Sequence, residues 1–247
     1  MEPILNQGRF CSLYFLEWDT SLLGLGCGRL DLTAEAGRAP ADQVLGEART
    51  LLQDQKELDL IAAKIPSPLF QLAVGLLQVG GVFLDAELVF SCRRPGGDGG
   101  RGPVEVLDRW EGDDFLPLAE EMKHSRYCLD GRIPAARAHR LWRESISNHC
   151  RFRAEKLAVG YEGRKAAGLV AVVPTGPKAR NLFLVGVLKE HQGRGIGLNM
   201  LKAVADYYGP AFDLEVECLA QNDSARRLYK KAGFVLKSWQ YVLHVWR

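Results

Sequence analysis

Leu182-Phe183-Leu184-Val185-Gly186-Val187-Leu188-Lys189-Glu190-His191-Gln192-Gly193-Arg194-Gly195-Ile196-Gly197 is the stretch from which the rest of this sequence can be read. The apolar, β-branched run at 182–188 predicts a strand buried on both faces. A short polar connection, Lys189-Glu190-His191, follows it. From Leu198 to Tyr208 the spacing of apolar residues predicts a helix. Between them lie three alternate glycines. A glycine-rich turn at a helix start directs unpaired backbone N–H groups at one spot, with the positive end of the helix dipole behind them. Missing side chains leave room for a phosphate to approach. The spacing is neither G-x-G-x-x-G nor G-x-x-x-x-G-K-[ST], so the dinucleotide and P-loop patterns do not fit.

The remaining composition narrows the classes. Apolar residues make up 47% and charged residues 25%, as in ordinary globular proteins. A net charge of +2 argues against a nucleic-acid partner. Cys11, Cys27, Cys92, Cys128, Cys150 and Cys218 show no C-x-x-C spacing, which predicts reduced thiols, a cytoplasmic setting and no metal site. The start, MEPILNQGRF, does not resemble a signal peptide. Leu72–Leu84 is too short to span a bilayer, so no membrane partner is expected.

Working outward, Gly26–Thr33, Leu58–Ile65 and Val82–Phe90 predict strands. Ala41–Gln53 and Pro68–Val79 predict helices. The Gly/Pro density of 95–103 predicts a linker, dividing the chain into 1–94, 95–103 and 104–247. Beyond it, strands are expected at Val104–Trp110, Lys156–Glu162, Ala166–Val173, Phe212–Cys218 and Phe234–Trp246. Helices are expected at Asp113–His124, Pro134–Asn148 and Asn222–Ala232, with Ser125–Ile133 irregular. The strand-helix-strand-helix-strand order of Gly26–Phe90 repeats in Leu182–Trp246, which suggests an internal repeat. The first copy has Pro40-Ala41-Asp42 in place of the glycine turn and is not expected to bind a coenzyme.

Gln192, Gly195 and Gly197 resemble the [QR]-x-x-G-x-[GA] signature of the GCN5-related N-acetyltransferases (GNAT), whose turn binds the pyrophosphate of acetyl-CoA. Asn222-Asp223-Ser224-Ala225-Arg226-Arg227-Leu228-Tyr229-Lys230-Lys231-Ala232-Gly233-Phe234 is similar to the same family's N-x-x-A-x-x-[LF]-Y-x-x-x-G-F. The resemblance covers 104–247 and implies an α/β fold with a mixed sheet, preceded by a truncated GNAT-like lobe at 1–94. Trp18-Asp19-Thr20-Ser21-Leu22-Leu23-Gly24 and Ser125-Arg126-Tyr127 resemble motifs of the TDP-fucosamine acetyltransferase branch, although Leu22-Leu23 replaces its paired aromatics.

The resemblance implies roles. Acetyl-CoA would be held by Gln192, Gly193, Arg194, Gly195, Ile196 and Gly197, with Asn222 facing it. Main-chain groups around Val185 and Val187 would polarise the thioester, with Gly186 easing a distortion there. Tyr229 would protonate the leaving thiolate; a phenol is protonated at neutral pH and can donate to a stronger base. Arg126, Tyr127 and Arg132 border the region where this fold takes its acceptor, and guanidinium groups suit a nucleotide diphosphate. Glu215 and Glu217 share a strand face and read as solvated carboxylates, and His191 as a surface residue. The implied reaction is N-acetylation of a nucleotide-linked amino sugar. Other amines (a protein N-terminus, a polyamine, an antibiotic) and a non-catalytic acyl-CoA-binding module are the competing readings. Exposed edge strands of such folds can pair, so a homodimer is possible in principle.

Overall fold

The computed structural model describes residues 2–93 and 103–247. All but the last residue of the expected linker therefore lies outside the described residues. Two compact units are built from interleaved segments. The first comprises Met1–Glu87, Arg126–Leu141 and Trp239–Arg247, the second Leu88–Ser125 and Trp142–Ser238. This differs from the division at the linker. The reason lies in three elements that cross a boundary without a break: one strand at 87/88, one helix at 141/142 and the last strand at 238/239.

The first unit contains β1 (Ile4–Gln7), β2 (Cys11–Phe15), α1 (Glu17–Leu23), β3 (Cys27–Leu32), α2 (Ala41–Gln53), β4 (Leu60–Pro66), α3 (Phe70–Leu77) and the start of β5 (Gly81–Cys92). Apolar side chains at helical spacing bury Val44, Ala48, Leu51 and Leu52 of α2. They pack with Leu72 and Leu76 of α3 on Leu30, Ile61 and Ile65 of the strands. β1, β2 and α1 were not expected. β1 is a four-residue edge strand, and α1 is a short helix closed by Gly24 at φ 63°.

The final strand, β11 (Val235–Trp246), pairs antiparallel with β4 over Gln240–Trp246. Its alternation sends Leu243 and Val245 into the α2–α3 core, so His244 and Trp246 face the other side. There Asp130 accepts hydrogen bonds from His244 Nδ1 (2.7 Å), Trp246 Nε1 (2.7 Å) and the Arg132 amide (3.1 Å). Burial opposes ionisation of Asp130. The bonds from His244, Trp246 and Arg132 outweigh it and hold the carboxyl at about 2, below the ordinary 3.8. Burial lowers the His244 pKa from 6.5.

The signs agree. The stability contributed by Asp130 is complete above 3.8 and lost as pH falls to about 2. A buried neutral histidine loses stability as pH drops below 6.5. Asp130→Asn is expected to flatten the acid limb of Tm against pH and to remove about 2 kcal/mol of pH-dependent stability between about pH 4 and pH 2. An unchanged limb in thermal melts across that range would contradict the network.

The second unit contains the end of β5, β6 (Val104–Leu107), α4 (Leu118–Glu121), β7 (Lys156–Glu162), β8 (Lys165–Gly176), β9 (Ala179–Val187), α7 (Ile196–Tyr208), β10 (Asp213–Leu219) and α8 (Asp223–Lys231). Strand order is β5-β10-β9-β8-β7-β6. One face is covered by Met200, Leu201 and Val204 of α7 and Tyr229 of α8. The other carries Phe115, Leu118, Ile146 and Cys150. The helix expected over Asp113–His124 is reduced to the single turn α4, because Pro117 lacks an N–H and disfavours helical backbone before it. Part of the irregular Ser125–Ile133 is a one-turn helix, α5 (Arg126–Leu129), in the first unit. The expected helix from Pro134 is α6 (Ala135–Asn148), prolonged by a π turn at His149–Arg153.

The repeat has a structural counterpart. β3-α2-β4-α3-β5 and β9-α7-β10-α8-β11 share one order, and in each the first two strands are parallel neighbours. Their last strands are exchanged: β11 lies beside β4, and β5 lies beside β10. The truncated lobe before the complete one is thus a βαβαβ unit closed by the other copy's final strand.

Candidate active site

β9 and β10 form a fork. Their parallel pairing runs from Ala179↔Asp213 to Asn181↔Glu215. β9 continues to Val187 and β10 to Leu219 with no further rung among the described residues. The cause is local. On its other side β9 pairs Val172↔Leu182 and Ala171↔Leu184, leaving Phe183 as an extra residue. Such a bulge bends the strand and reverses its alternation. Leu182 therefore enters the α7–α8 core, while Leu184 enters the opposite one. This corrects the expectation of a strand buried uniformly on both faces, since Phe183 is 44% exposed. It also relocates the distortion. The bulge sits at Phe183, whereas a Cβ at Gly186 would lie 2.9 Å from a methyl of Leu118, which would have to shift.

Val185 and Val187 pack against the α7–α8 core on the free arm of the fork. Beyond them the chain turns through Gly193 (φ 78°) and Gly195 (φ 81°). Every left-handed position among the described residues carries glycine, as sterics require. Gly195 is the N-cap of α7, and no side chain occupies its capping position. The first N–H groups of a 13-residue helix are thus left without a side-chain partner, an anion-binding geometry. Gln192 Nε2 donates to the Val187 carbonyl at 3.0 Å, tying the turn to the arm.

Glu162, at the end of β7, had no sequence signal, yet it accepts from both His191 and Arg194. Arg194, followed by His191, holds its carboxyl below the ordinary range. His191 is therefore a buttress of the turn rather than a surface residue, with a side chain 13% exposed.

On the other arm, Tyr229 projects from α8 into the core against Phe90 (5.9 Å, edge-on) and Phe234 (6.2 Å). Burial pushes its phenol well above the ordinary value, and Cys218 and Glu217 of β10 push the same way. The phenol thus stays protonated and neighbours the part of β10 that has left β9. Asn222 caps α8: its Oδ1 accepts from Ala225 N at 3.1 Å and from Ser224 Oγ at 2.9 Å. Glu215 pairs with Lys237. Glu217 accepts from Asn181 Nδ2 at 3.5 Å, at the crotch of the fork. No cluster of potential metal ligands occurs among the described residues, and no helix among them is long and apolar enough to cross a membrane.

The turn, Val185, Val187, Asn222 and Tyr229 all belong to the second unit. Arg126, Tyr127 and Arg132 belong to the first. There Arg126 donates to Tyr127 Oη at 2.5 Å, and the Tyr127 hydroxyl donates to Asp19. The Arg132 guanidinium lies over Trp246 at 5.5 Å. The two motifs around Asp19 and Tyr127, distant in sequence, are thus joined by a hydrogen bond.

Residues 119–234 match the model of the acetyltransferase (GNAT) family. Over that interval the chain is similar to the GNAT acetyltransferases. GNAT enzymes use acetyl-CoA, and the fork, glycine turn and α8 tyrosine all fall inside the matched interval or border it. No curated protein matches the chain. Solved structures show the same fold over the whole chain. A GCN5-related N-acetyltransferase from Kribbella flavida is 14% identical, with TM-score 0.63, covering 99% of this chain and 89% of that one. One from Sphaerobacter thermophilus is 18% identical, with TM-score 0.59, covering 95% and 76%. A tandem GNAT protein from the clavulanic acid biosynthesis pathway is 15% identical, with TM-score 0.54, covering 98% and 81%. These neighbours include a tandem GNAT protein, in keeping with the fold of a GNAT domain preceded by a shortened GNAT-like lobe.

Proposed function

We propose that the protein is an acetyl-CoA-dependent N-acetyltransferase acting on the amine of a nucleotide-linked, TDP-type amino sugar. The observation that carries the reading is the fork. It opens where β10 leaves β9, ends on one arm in the bare N-terminus of α7, and on the other runs through Glu217 and Cys218, which neighbour the buried Tyr229 phenol. The diphosphate of the coenzyme would lie on the amides at Gly195–Gly197, with Gln192, Gly193, Arg194 and Ile196 around it and the Asn222 amide facing it. The thioester would lie in the fork beside Val185 and Val187, where strand amides without a rung can hold a carbonyl oxygen.

The amine nitrogen then attacks the thioester carbonyl. A C–N bond forms, the C–S bond breaks, and the departing sulfur accepts a hydrogen bond and a proton from Tyr229. The amine proton leaves through water at the crotch, where Glu217 stands. The nucleotide part of the reading rests on the motif resemblance. Arg126 donates to the Tyr127 hydroxyl, which donates to Asp19.

Tyr229→Phe is expected to lower kcat by about tenfold or more while acetyl-CoA affinity and Tm change little, since the ring remains packed on Phe90. Wild-type turnover would remove the proton-donor role. The substrate claim is tested by thiol release across free and TDP-linked amino sugars, polyamines and peptide amines. The linked sugar should have the largest kcat/KM. Release with none of them would favour a binding module, and equal rates for free and linked sugar would remove the nucleotide.

A further inference from the structure

We infer that the acceptor is selected by its ring, which lies on an aromatic shelf formed by Phe183, His149 and Trp142. This rests on the acyl-transfer reading of the fork and names what the fork's outer face takes. Phe183 is the bulged residue itself, so its position and the opening of the fork have one cause. One face of its ring is stacked on His149, with centroids 4.2 Å apart and planes 12° apart. His149 is buried and fixed by its Nδ1 against the Ser145 carbonyl at 2.7 Å. It is the first residue of the π turn that ends α6, a feature that recurs at functional sites. Trp142, on the same helix, tilts towards Phe183 at 6.5 Å, and its indole N–H is buried without a hydrogen-bond partner. A phenylalanine left 44% exposed on a fixed histidine ring suits a molecule that brings an apolar face.

The carboxylate completes the recognition. Leu182, Leu214, Val216 and Cys218 point into the α7–α8 core. Asn181 and Glu217 therefore share the opposite face with Phe183. A ring on Phe183 places an attached amine towards Glu217 at the crotch. The C–H face of a sugar ring meets the negative face of the phenyl ring. An open-chain amine has no such face to offer.

The test uses the full chain with Phe183→Leu, which keeps bulk but removes the flat face, and Phe183→Tyr, which keeps it. Steady-state kinetics with glucosamine, a TDP-linked amino sugar and spermidine are read as KM against kcat. For the amino sugars, Phe183→Leu should raise KM about tenfold with kcat changed less than about threefold, and Phe183→Tyr should restore KM. Spermidine kinetics should be the same in all three proteins. An unchanged amino-sugar KM, or an equal rise for spermidine, would overturn the shelf. If no amine is turned over, the acyl-transfer reading fails by itself, and the shelf is then judged by calorimetric titration. Amino-sugar binding weakened by Phe183→Leu and restored by Phe183→Tyr upholds it; absence of binding or an indifferent affinity overturns it.

Discussion

Expressed alone, residues 104–247 are expected to give no cooperative melt and no measurable acetyl-CoA binding, although they contain the whole glycine turn and Tyr229. The cause is the exchange of strands. Phe90, 2% exposed, and Cys92, 8% exposed, belong to the core that surrounds Tyr229, and both lie before the linker. Losing a buried phenylalanine alone costs about 3–5 kcal/mol, a large fraction of the stability of an ordinary domain. The truncated chain would also expose the flank of β10. It would strip β4 from the seven residues Gln240–Trp246, leaving Leu243 and Val245 in water. Bare edges and stranded apolar side chains favour aggregation over folding. In the intact protein, Phe90→Ala should reproduce part of the loss as a lower Tm. A soluble 104–247 fragment with a sharp melt and intact coenzyme affinity would show that the exchanged strands are dispensable.

Gly195→Val is expected to weaken acetyl-CoA binding by about a hundredfold or more. Gly195 sits at φ 81° with ψ 0° as the N-cap of α7. A β-branched residue is strongly disfavoured there, so the turn must refold and withdraw its amides. The side chain would in addition stand where the diphosphate approaches. Several charge-assisted hydrogen bonds act together at such a site, and losing them accounts for about 3 kcal/mol. The structural loss should be smaller, because the turn is a surface feature buttressed by Glu162. Isothermal titration with acetyl-CoA, alongside a melt, separates the two effects. Retained affinity would mean that the coenzyme lies elsewhere.

What the sequence disclosed and what it withheld have physical reasons. α2 is found at Ala41–Gln53 and β7 at Lys156–Glu162, as expected, because local periodicity alone specifies such elements. The glycine turn was legible because left-handed backbone is nearly confined to glycine. Two features were not legible. The bulge at Phe183 arises from register against β8, a non-local property, so the apolar run looked like an ordinary buried strand. The strand exchange depends on which neighbour each final strand chooses, and no periodicity encodes that choice. Arg126 and Tyr127 lie in the one-turn helix α5 rather than in an irregular loop, and the Tyr127 partner, Asp19, lies 108 positions away. A pairing that distant cannot be inferred from spacing.

The most direct test is a crystal structure of the full chain with acetyl-CoA. The diphosphate should accept from the main-chain amides at the start of α7, and the thioester should enter the gap between Leu182–Val187 and Val216–Leu219 with its sulfur near the Tyr229 hydroxyl. A coenzyme bound away from that gap, or β9 and β10 zipped together beyond Asn181 and Glu215, would contradict the account.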